Sequence, residues 1–489
     1  MTLAPDQLLL WAFLTPIIVA VLVAVAGPWR NLRDAISVLG SLATFGFVAM
    51  LASEWEDKLV SRTIADFLPG LTLRFSLEPL GLLFAVIAST LWVLSTIYAI
   101  GYMRANEEHD QTRFFALFAL AIAATLGIAF SGNLLTLFVF YETLTLVTFP
   151  LVTHAGTPEA MRAGRTYLGI LLSTSILFFF LAMVWTYFEA GTLDFIKGGI
   201  LNEETGPSVT LVLFLLYMFG IAKTALMPFH RWLPAAMVAP TPVSALLHAV
   251  AVVKAGVFAV VKVIVYVLGV ERLAGVPGTA IVPVVAGFTI IAASLVALKQ
   301  ANLKRLLAYS TISQLSYVVL SATLLTPISI MGAVLHIAMH AVAKITLFFA
   351  AGAVYTAAHK SEIGELDGIG RRMPWTMGAF AVAALSMIGL PPTAGFVSKW
   401  VILKGAFDAT AWCAVAVLVL STVLNAAYFL PIVHRAFFRP LSAEAQAHPH
   451  GEAPFPSVLA LTLTALLTLG LFFFPGEAMK IAEAVATGR

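Results

Sequence analysis

Apolar residues in this chain run in long unbroken blocks rather than in alternation. A helix crossing a bilayer takes about 20 mainly apolar residues. Such blocks fall at Leu8–Gly27, Ala35–Ala52, Leu80–Gly101, Phe114–Phe130, Asn133–Thr153, Gly164–Phe188 and Thr210–Leu226. They continue at Val243–Leu268, Ile281–Leu298, Leu306–Leu325, Ile328–Ala357, Trp375–Phe407, Trp412–Val433 and Ser457–Phe474. The pattern predicts an all-α polytopic membrane protein of about fourteen helices, with no strands, because the apolar segments are continuous. The first block is preceded by a single charge, Asp6, and is long, so it is expected to be a membrane helix rather than a cleaved signal peptide.

Prolines interrupt two of these blocks. Pro228 breaks the end of the seventh, five residues after Lys223, and Pro391-Pro392 break the twelfth, just before Lys399. Proline frees backbone carbonyls, which membrane depth tolerates only where protein or water meets them. If helices are counted from the fourth, both breaks fall in the fourth member of a group of five. Five is odd, so two such groups would run oppositely through the membrane, and matched broken helices point to a transport site. Chance kinks are the plainer alternative. The predicted organisation is residues 1–112 for the first three helices, 113–270 and 271–435 for two inverted five-helix repeats, and 436–489 for a loop and the last helix.

Composition removes the soluble alternatives. Of 489 residues, 60% are apolar and 11% charged, with a mean hydropathy of +0.97, against roughly 25% charged in soluble domains. A soluble enzyme is excluded. The one cysteine, Cys413, cannot form a disulfide framework or by itself ligate an iron–sulfur cluster.

Charge supplies an orientation. The basic residues in loops sort about fifteen to eight, with Arg30, Arg104, Arg162, Lys304 and Arg371 on the richer side. That places both termini on the outer side of the membrane. Lys58 and Arg489 belong to the poorer side by this sorting. Five lysines remain inside predicted spans: Lys223, Lys254, Lys262, Lys344 and Lys399.

A charge at the bilayer centre costs about 2.5–3.5 kcal/mol on insertion scales, so such residues usually carry function. The bland reading is snorkelling, which suits Lys262 near its helix end better than the deeper Lys223 and Lys254. One acid lies well inside a span, Glu142, and it is expected to pair with a lysine, as interhelical glue or as part of a relay. One acid cannot neutralise five bases, so some lysines must be neutral, hydrated or titrating, as a proton relay requires. His336, His340 and Lys344 share one helix face at i, i+4 and i+8. That spacing suits a hydrated proton path or satisfied core histidines. Zinc needs further ligands than this face offers, so no metal is expected. His248 and Lys254, six residues apart on an ideal helix, point about 120° from each other.

The stretches Ala222-Lys223, Pro228-Phe229-His230, Trp232-Leu233-Pro234, Pro240 to His248, Leu303 to Gln314 and His336 to Lys344 resemble the antiporter-like subunits of respiratory complex I and the Mrp cation/proton antiporters. Membrane-bound hydrogenases use similar subunits. The resemblance implies fourteen helices with two inverted five-helix repeats and discontinuous helices 7 and 12. It implies that Glu142 pairs with Lys223, that Lys254 and His248 form a central axis, that His336, His340 and Lys344 relay protons, and that Lys399 delivers them. Gly395 to Trp400 is similar to the Mrp D-type branch, and the chain's end after the last helix is expected to reflect that shorter type.

The expected function is proton translocation along a Glu/Lys/His axis in a multisubunit cation/proton antiporter of the cytoplasmic membrane. The chain would bring no cofactor and no redox or hydrolytic site of its own. Its partners would be other membrane subunits, and sodium, if it moves, would use other residues, since a cation-lined axis repels it. The alternatives are a pumping subunit of a complex I-like NADH-quinone oxidoreductase or membrane-bound hydrogenase, and, from another class, a quinone- or haem-binding redox subunit.

Overall fold

The computed structural model describes residues 4–55, 60–68, 71–441 and 451–487. Lys58 and Arg489 lie outside them. The chain is a helical bundle of sixteen main helices among the described residues. The first eight are α1 (Pro5–Val25), α2 (Arg30–Ser53), α3 (Pro79–Ala105), α4 (Gln111–Ala129), α5 (Leu134–Val152), α6 (Pro158–Ala190), α7 (Pro207–Gly220) and α8 (Thr241–Leu268). The second eight are α9 (Ile281–Leu298), α10 (Leu303–Ala322), α11 (Pro327–Ala358), α12 (Pro374–Ile388), α13 (Ala394–Asp408), α14 (Trp412–Phe438), α15 (Phe455–Phe473) and α16 (Gly476–Thr487).

Eleven helices among the described residues are long and apolar enough to cross a membrane. The other expected spans fall on shorter or more polar elements. The helices α7 and α12 have 14 and 15 residues and stop at the two breaks. The helix α10 is buried along nearly its whole length and carries Ser310, Ser313, Gln314, Ser316 and Ser321 on its way through the core, which lowers its hydropathy. Length and composition alone therefore pick out eleven spans, with the short α7 and α12 and the polar α10 falling below that measure.

Two helices are wholly interior: α8 and α11 are 100% buried across their apolar windows, whereas α2 is 28% buried and α6, α14 and α15 are 33% buried. The outer helices present Leu39, Phe288, Val423 and Leu466 outward, as apolar residues facing hydrocarbon do. The lysines and histidines are on the inner helices. Without water in the hydrocarbon core, a polar side chain is tolerable where other protein groups meet it.

Strands were not expected, and here the structure corrects the sequence reading. Val60–Leu68 and Leu71–Leu77 form an antiparallel hairpin, Val60 facing Leu77 and Leu68 facing Leu71. The stretch Thr72-Leu73-Arg74-Phe75-Ser76-Leu77 alternates polar and apolar residues, the period of a half-buried strand. Phe75 and Leu77 are buried, while Arg74 pairs with Asp194 at 3.1 Å. The alternation sits inside one connection, too short to register beside the long apolar blocks. A last helix, α16, also lay beyond the expected spans; its Ala482 and Val485 are buried while Glu477 and Lys480 pair at the surface.

Candidate functional site

The two broken helices build the site locally. The helix α7 ends at Gly220, and a single 3-10 turn, Ala222–Thr224, carries Lys223. One carbonyl released there, that of Ala222, accepts a hydrogen bond from Trp232 Nε1 at 3.0 Å. In the second break α12 ends at Ile388, and Gly389 turns the chain with φ of +93°. Lys399 on α13 reaches back so that Nζ donates to Met387 O at 2.6 Å and Ile388 O at 3.3 Å. The second break thus sets an ammonium against the carbonyls that end a half-helix, where the negative end of the helix dipole favours a cation, and the first places Lys223 in the turn just past one.

Lys223 is fully buried, and its Nζ donates to Tyr141 O at 2.6 Å while lying 3.1 Å from the centre of the Tyr141 ring. The expected ion pair with Glu142 is not formed: both Glu142 carboxylate oxygens are buried without a hydrogen-bond partner. The lysine instead engages the residue before Glu142, a peptide carbonyl and a π face that stabilise a cation without neutralising it. Gly256 on α8 allows this approach, since a Cβ there would sit 2.5 Å from the Lys223 carbonyl carbon.

The centre of the bundle holds a file of polar groups where α8, α10, α11 and α13 meet. Lys254 Nζ lies 2.5 Å from His340 Nδ1, and both residues are sealed from the exterior. An ammonium has donors alone, so His340 Nδ1 accepts. His336 stands one turn away, its ring 5.8 Å from that of His340. Its two nitrogens are held by Gln314 Oε1 at 3.0 Å and Ser398 Oγ at 2.9 Å. With Gln314 Oε1 accepting, Nε2 carries a proton, while the Ser398 hydroxyl, which also reaches Gly395 O at 3.3 Å, can either donate to Nδ1 or accept from it. The Tyr317 ring stacks on His336 at 5.6 Å, and Lys399 Nζ lies 4.7 Å from the Tyr317 ring centre. Half-buried Lys399 borders a small cavity of about 120 Å³ shared with Tyr317 and Trp400. Lys344 donates to Ser310 Oγ at 2.9 Å, and Tyr428 donates to the same oxygen at 3.2 Å.

His248 stands apart. It sits in a π-helical turn, Leu246–Val250, that interrupts α8, so the 120° angle to Lys254 expected for an ideal helix does not apply. Its ring packs 4.7 Å from Phe348, and neither ring nitrogen has a hydrogen-bond partner.

Lys262 does not snorkel. It is fully buried, forms an ion pair with Glu78, the residue before α3, and donates to Ser131 O at 2.7 Å. Sequence reasoning missed Glu78 because it lies before the span rather than in it; its place immediately ahead of Pro79, the start of a helix, was the available signal. Gln314, Ser398, Ser310 and Tyr317 were missed as well. Single hydroxyls and amides in apolar helices carry little signal until tertiary packing shows what they face.

On the side bearing Arg104 and Lys304, a cavity of about 300 Å³ is lined by Tyr102, Glu108, Met237, Thr241, Lys304 and Tyr355. Lys304 Nζ donates to Ala239 O at 2.6 Å at its edge. Thr241 opens α8, two turns before His248. Burial pushes the Glu108 carboxyl above its ordinary range, against the opposing pull of His109 and Lys304.

Comparisons with known proteins agree with this architecture. A family model described as NADH:quinone oxidoreductase/Mrp antiporter, TM, matches residues 131–425, which contain every lysine and histidine of the file. The NADH-quinone oxidoreductase subunit N of Desulforudis audaxviator is 33% identical over 453 residues, 90% of this chain and 88% of that one. The D-type subunit of the Na(+)/H(+) antiporter of Alkalihalophilus pseudofirmus is 29% identical over 326 residues, 66% of this chain and 64% of that one, so the match spans less than two thirds of that relative. A chain in the structure of the Mrp complex from a Dietzia species shares the fold, with a TM-score of 0.84 at 21% identity over 100% of this chain and 98% of that one. This multi-pass membrane chain belongs to the NADH:quinone oxidoreductase/Mrp antiporter transmembrane family.

Proposed function

We propose that the chain is the proton-translocating, antiporter-like subunit of a multisubunit cation/proton antiporter of Mrp type, D-like within that complex, working beside other membrane subunits in the cytoplasmic membrane. The observation that carries this reading is the Lys254–His340–His336 file, closed from lipid on all sides and reaching Ser398 at its far end. Lys254 with His340, and His336 with Gln314 and Ser398, are two hydrogen-bonded stretches, and transfer between them needs a water or a ring movement to bridge the unpartnered His340 Nε2 to His336, 5.8 Å away ring to ring. A proton leaving Lys254 Nζ has His340 Nδ1 as its immediate acceptor. From His336 the route continues by Ser398, and water in the small cavity beside Tyr317 would complete it to Lys399. One half-channel would load Lys223 and the lysine–histidine file, and the other would deliver through Lys399.

Glu142 controls the loading step in this scheme. Its unpartnered carboxylate can swing toward Lys223, favouring the protonated lysine. Separation, as found here with Lys223 on Tyr141 O, weakens the hold on that proton and releases it onward. The division into repeats at 113–270 and 271–435 belongs to the same proposal. It is supported by the parallel placing of Lys223 and Lys399 beside the ends of half-helices. The basic-rich side is taken as the cytoplasmic side, with both termini outside.

The test is proton movement in everted membrane vesicles, followed by a pH-sensitive dye. Glu142→Ala and Lys223→Ala should each abolish it while the complex still assembles. Full activity in both variants would sink the relay.

A second reading is favoured by the 33% identity to an NADH-quinone oxidoreductase subunit over most of both chains. In it the same file is driven by redox chemistry in partner subunits. Mass spectrometry of the co-purified complex separates the two: small membrane subunits alone support the antiporter, and flavin- or iron–sulfur-bearing subunits support the redox pump.

A further inference from the structure

Outside the proton file, one cluster combines ligand chemistry with an unexplained buried group. Glu108 and His109 lie in the turn after α3, and His154 follows α5. One ligand atom from each of the three lies within 4.8 Å of the others. His154 is 1% exposed, yet beyond a contact with the His109 backbone neither of its ring nitrogens has a well-formed hydrogen bond. Its ring stands edge-to-face with that of His109 at 4.8 Å between centroids. A buried polar group left unsatisfied costs about 1–3 kcal/mol, so it calls for a missing partner.

We propose that Glu108, His109 and His154 form a binding site for a divalent transition-metal ion of the zinc class. Two imidazoles and one carboxylate are a donor set that suits zinc and disfavours magnesium, which takes oxygen ligands. Zinc with ligands at about 2.0–2.1 Å sets tetrahedral donors about 3.3 Å apart, so the widest of the three separations must close by about 1.5 Å. Exposed His109 and half-buried Glu108 have the freedom to do so around a fixed His154. A fourth position stays open to water.

The surroundings are compatible with one added cation. Arg113 donates to the His154 carbonyl at 3.4 Å, and Asp110 pairs with it at 3.2 Å. Lys304 faces Glu108 across the cavity, and its ammonium is held by Ala239 O. Because Glu108 lines that cavity, a bound ion would draw its carboxylate out of the cavity wall. The sequence hid this site because its ligands lie in two separate loops, at 108–109 and 154, with no ligand spacing between them.

The full chain, purified through a tag without histidine and stripped with a chelator, is titrated with Zn²⁺ by calorimetry and with Co²⁺ by visible absorption. One equivalent of each should bind, Co²⁺ with the ligand-field bands of a nitrogen-containing site, while Mg²⁺ at the same concentration should not compete. His109→Gln, at an exposed position that leaves the fold intact, should weaken Zn²⁺ binding by at least about tenfold, the loss that outer-sphere partners alone can cause. Adding His154→Gln should abolish the stoichiometric site. Absence of one-equivalent binding to the unaltered chain, or its survival in the double variant, would overturn the proposal.

Discussion

Replacing Lys262 by methionine separates a structural ion pair from a relay member. Lys262 is fully buried against Glu78, whose side chain is 11% exposed, and also donates to Ser131 O. Two unit charges about 4 Å apart attract by about 4 kcal/mol at an effective dielectric constant of 20. Removing one partner from a buried pair costs about 3–5 kcal/mol, because the other charge stays desolvated. Lys262→Met and Glu78→Gln should therefore each lower stability by that amount. The double variant should recover most of it, since neither charge is then left alone. The assay is SDS titration of the protein purified in mild detergent, run as a double-mutant cycle, beside dye-monitored proton transport in everted vesicles. Transport per folded molecule should persist in the double variant. If the double variant folds and transport is still lost, Lys262 carries protons, and the structural reading of the Glu78–Lys262 pair is refuted.

The remaining predictions concern the file itself. Ser398→Ala should leave His336 Nδ1 without its partner; a buried polar group left unsatisfied costs about 1–3 kcal/mol, so vesicle proton transport should fall roughly tenfold, and Gln314→Leu should add to the loss. Lys399→Arg keeps a cation over Met387 O but replaces an exchangeable ammonium with a guanidinium that does not deprotonate in proteins; the variant should fold normally by size-exclusion chromatography yet fail to transport, and normal transport would show that Lys399 acts through charge alone. Gly256→Val should displace the Lys223 turn, since even a Cβ meets the Lys223 carbonyl carbon at 2.5 Å; overpacking of this kind costs about 1–3 kcal/mol, seen as a lower SDS midpoint together with reduced transport. Lys254→Met should stop transport with little effect on assembly, because methionine fills the same volume without donating to His340 Nδ1.

What the sequence determined alone is the arrangement along the chain. Most apolar blocks matched helices within a few residues, Val243–Leu268 against Thr241–Leu268 and Ile328–Ala357 against Pro327–Ala358, because a bilayer sets the length that apolar side chains must cover. It also singled out the intramembrane lysines and the His336–His340–Lys344 face, since charge in hydrocarbon is rare enough to stand out by itself. Only tertiary structure decided the partners. A pairing depends on which helices touch and at what depth, and no local pattern encodes that. Glu142 and Lys223 looked like a pair and are not hydrogen-bonded; Lys262 looked suited to snorkelling and is matched by Glu78. Lys254 and His340 lie 86 residues apart in sequence and meet at 2.5 Å because α8 and α11 are both packed inside the bundle. The polar groups that complete the file, Gln314, Ser398 and Ser310, gain meaning from the same packing: once lipid and water are excluded, each must find a protein partner, and the partners form the path.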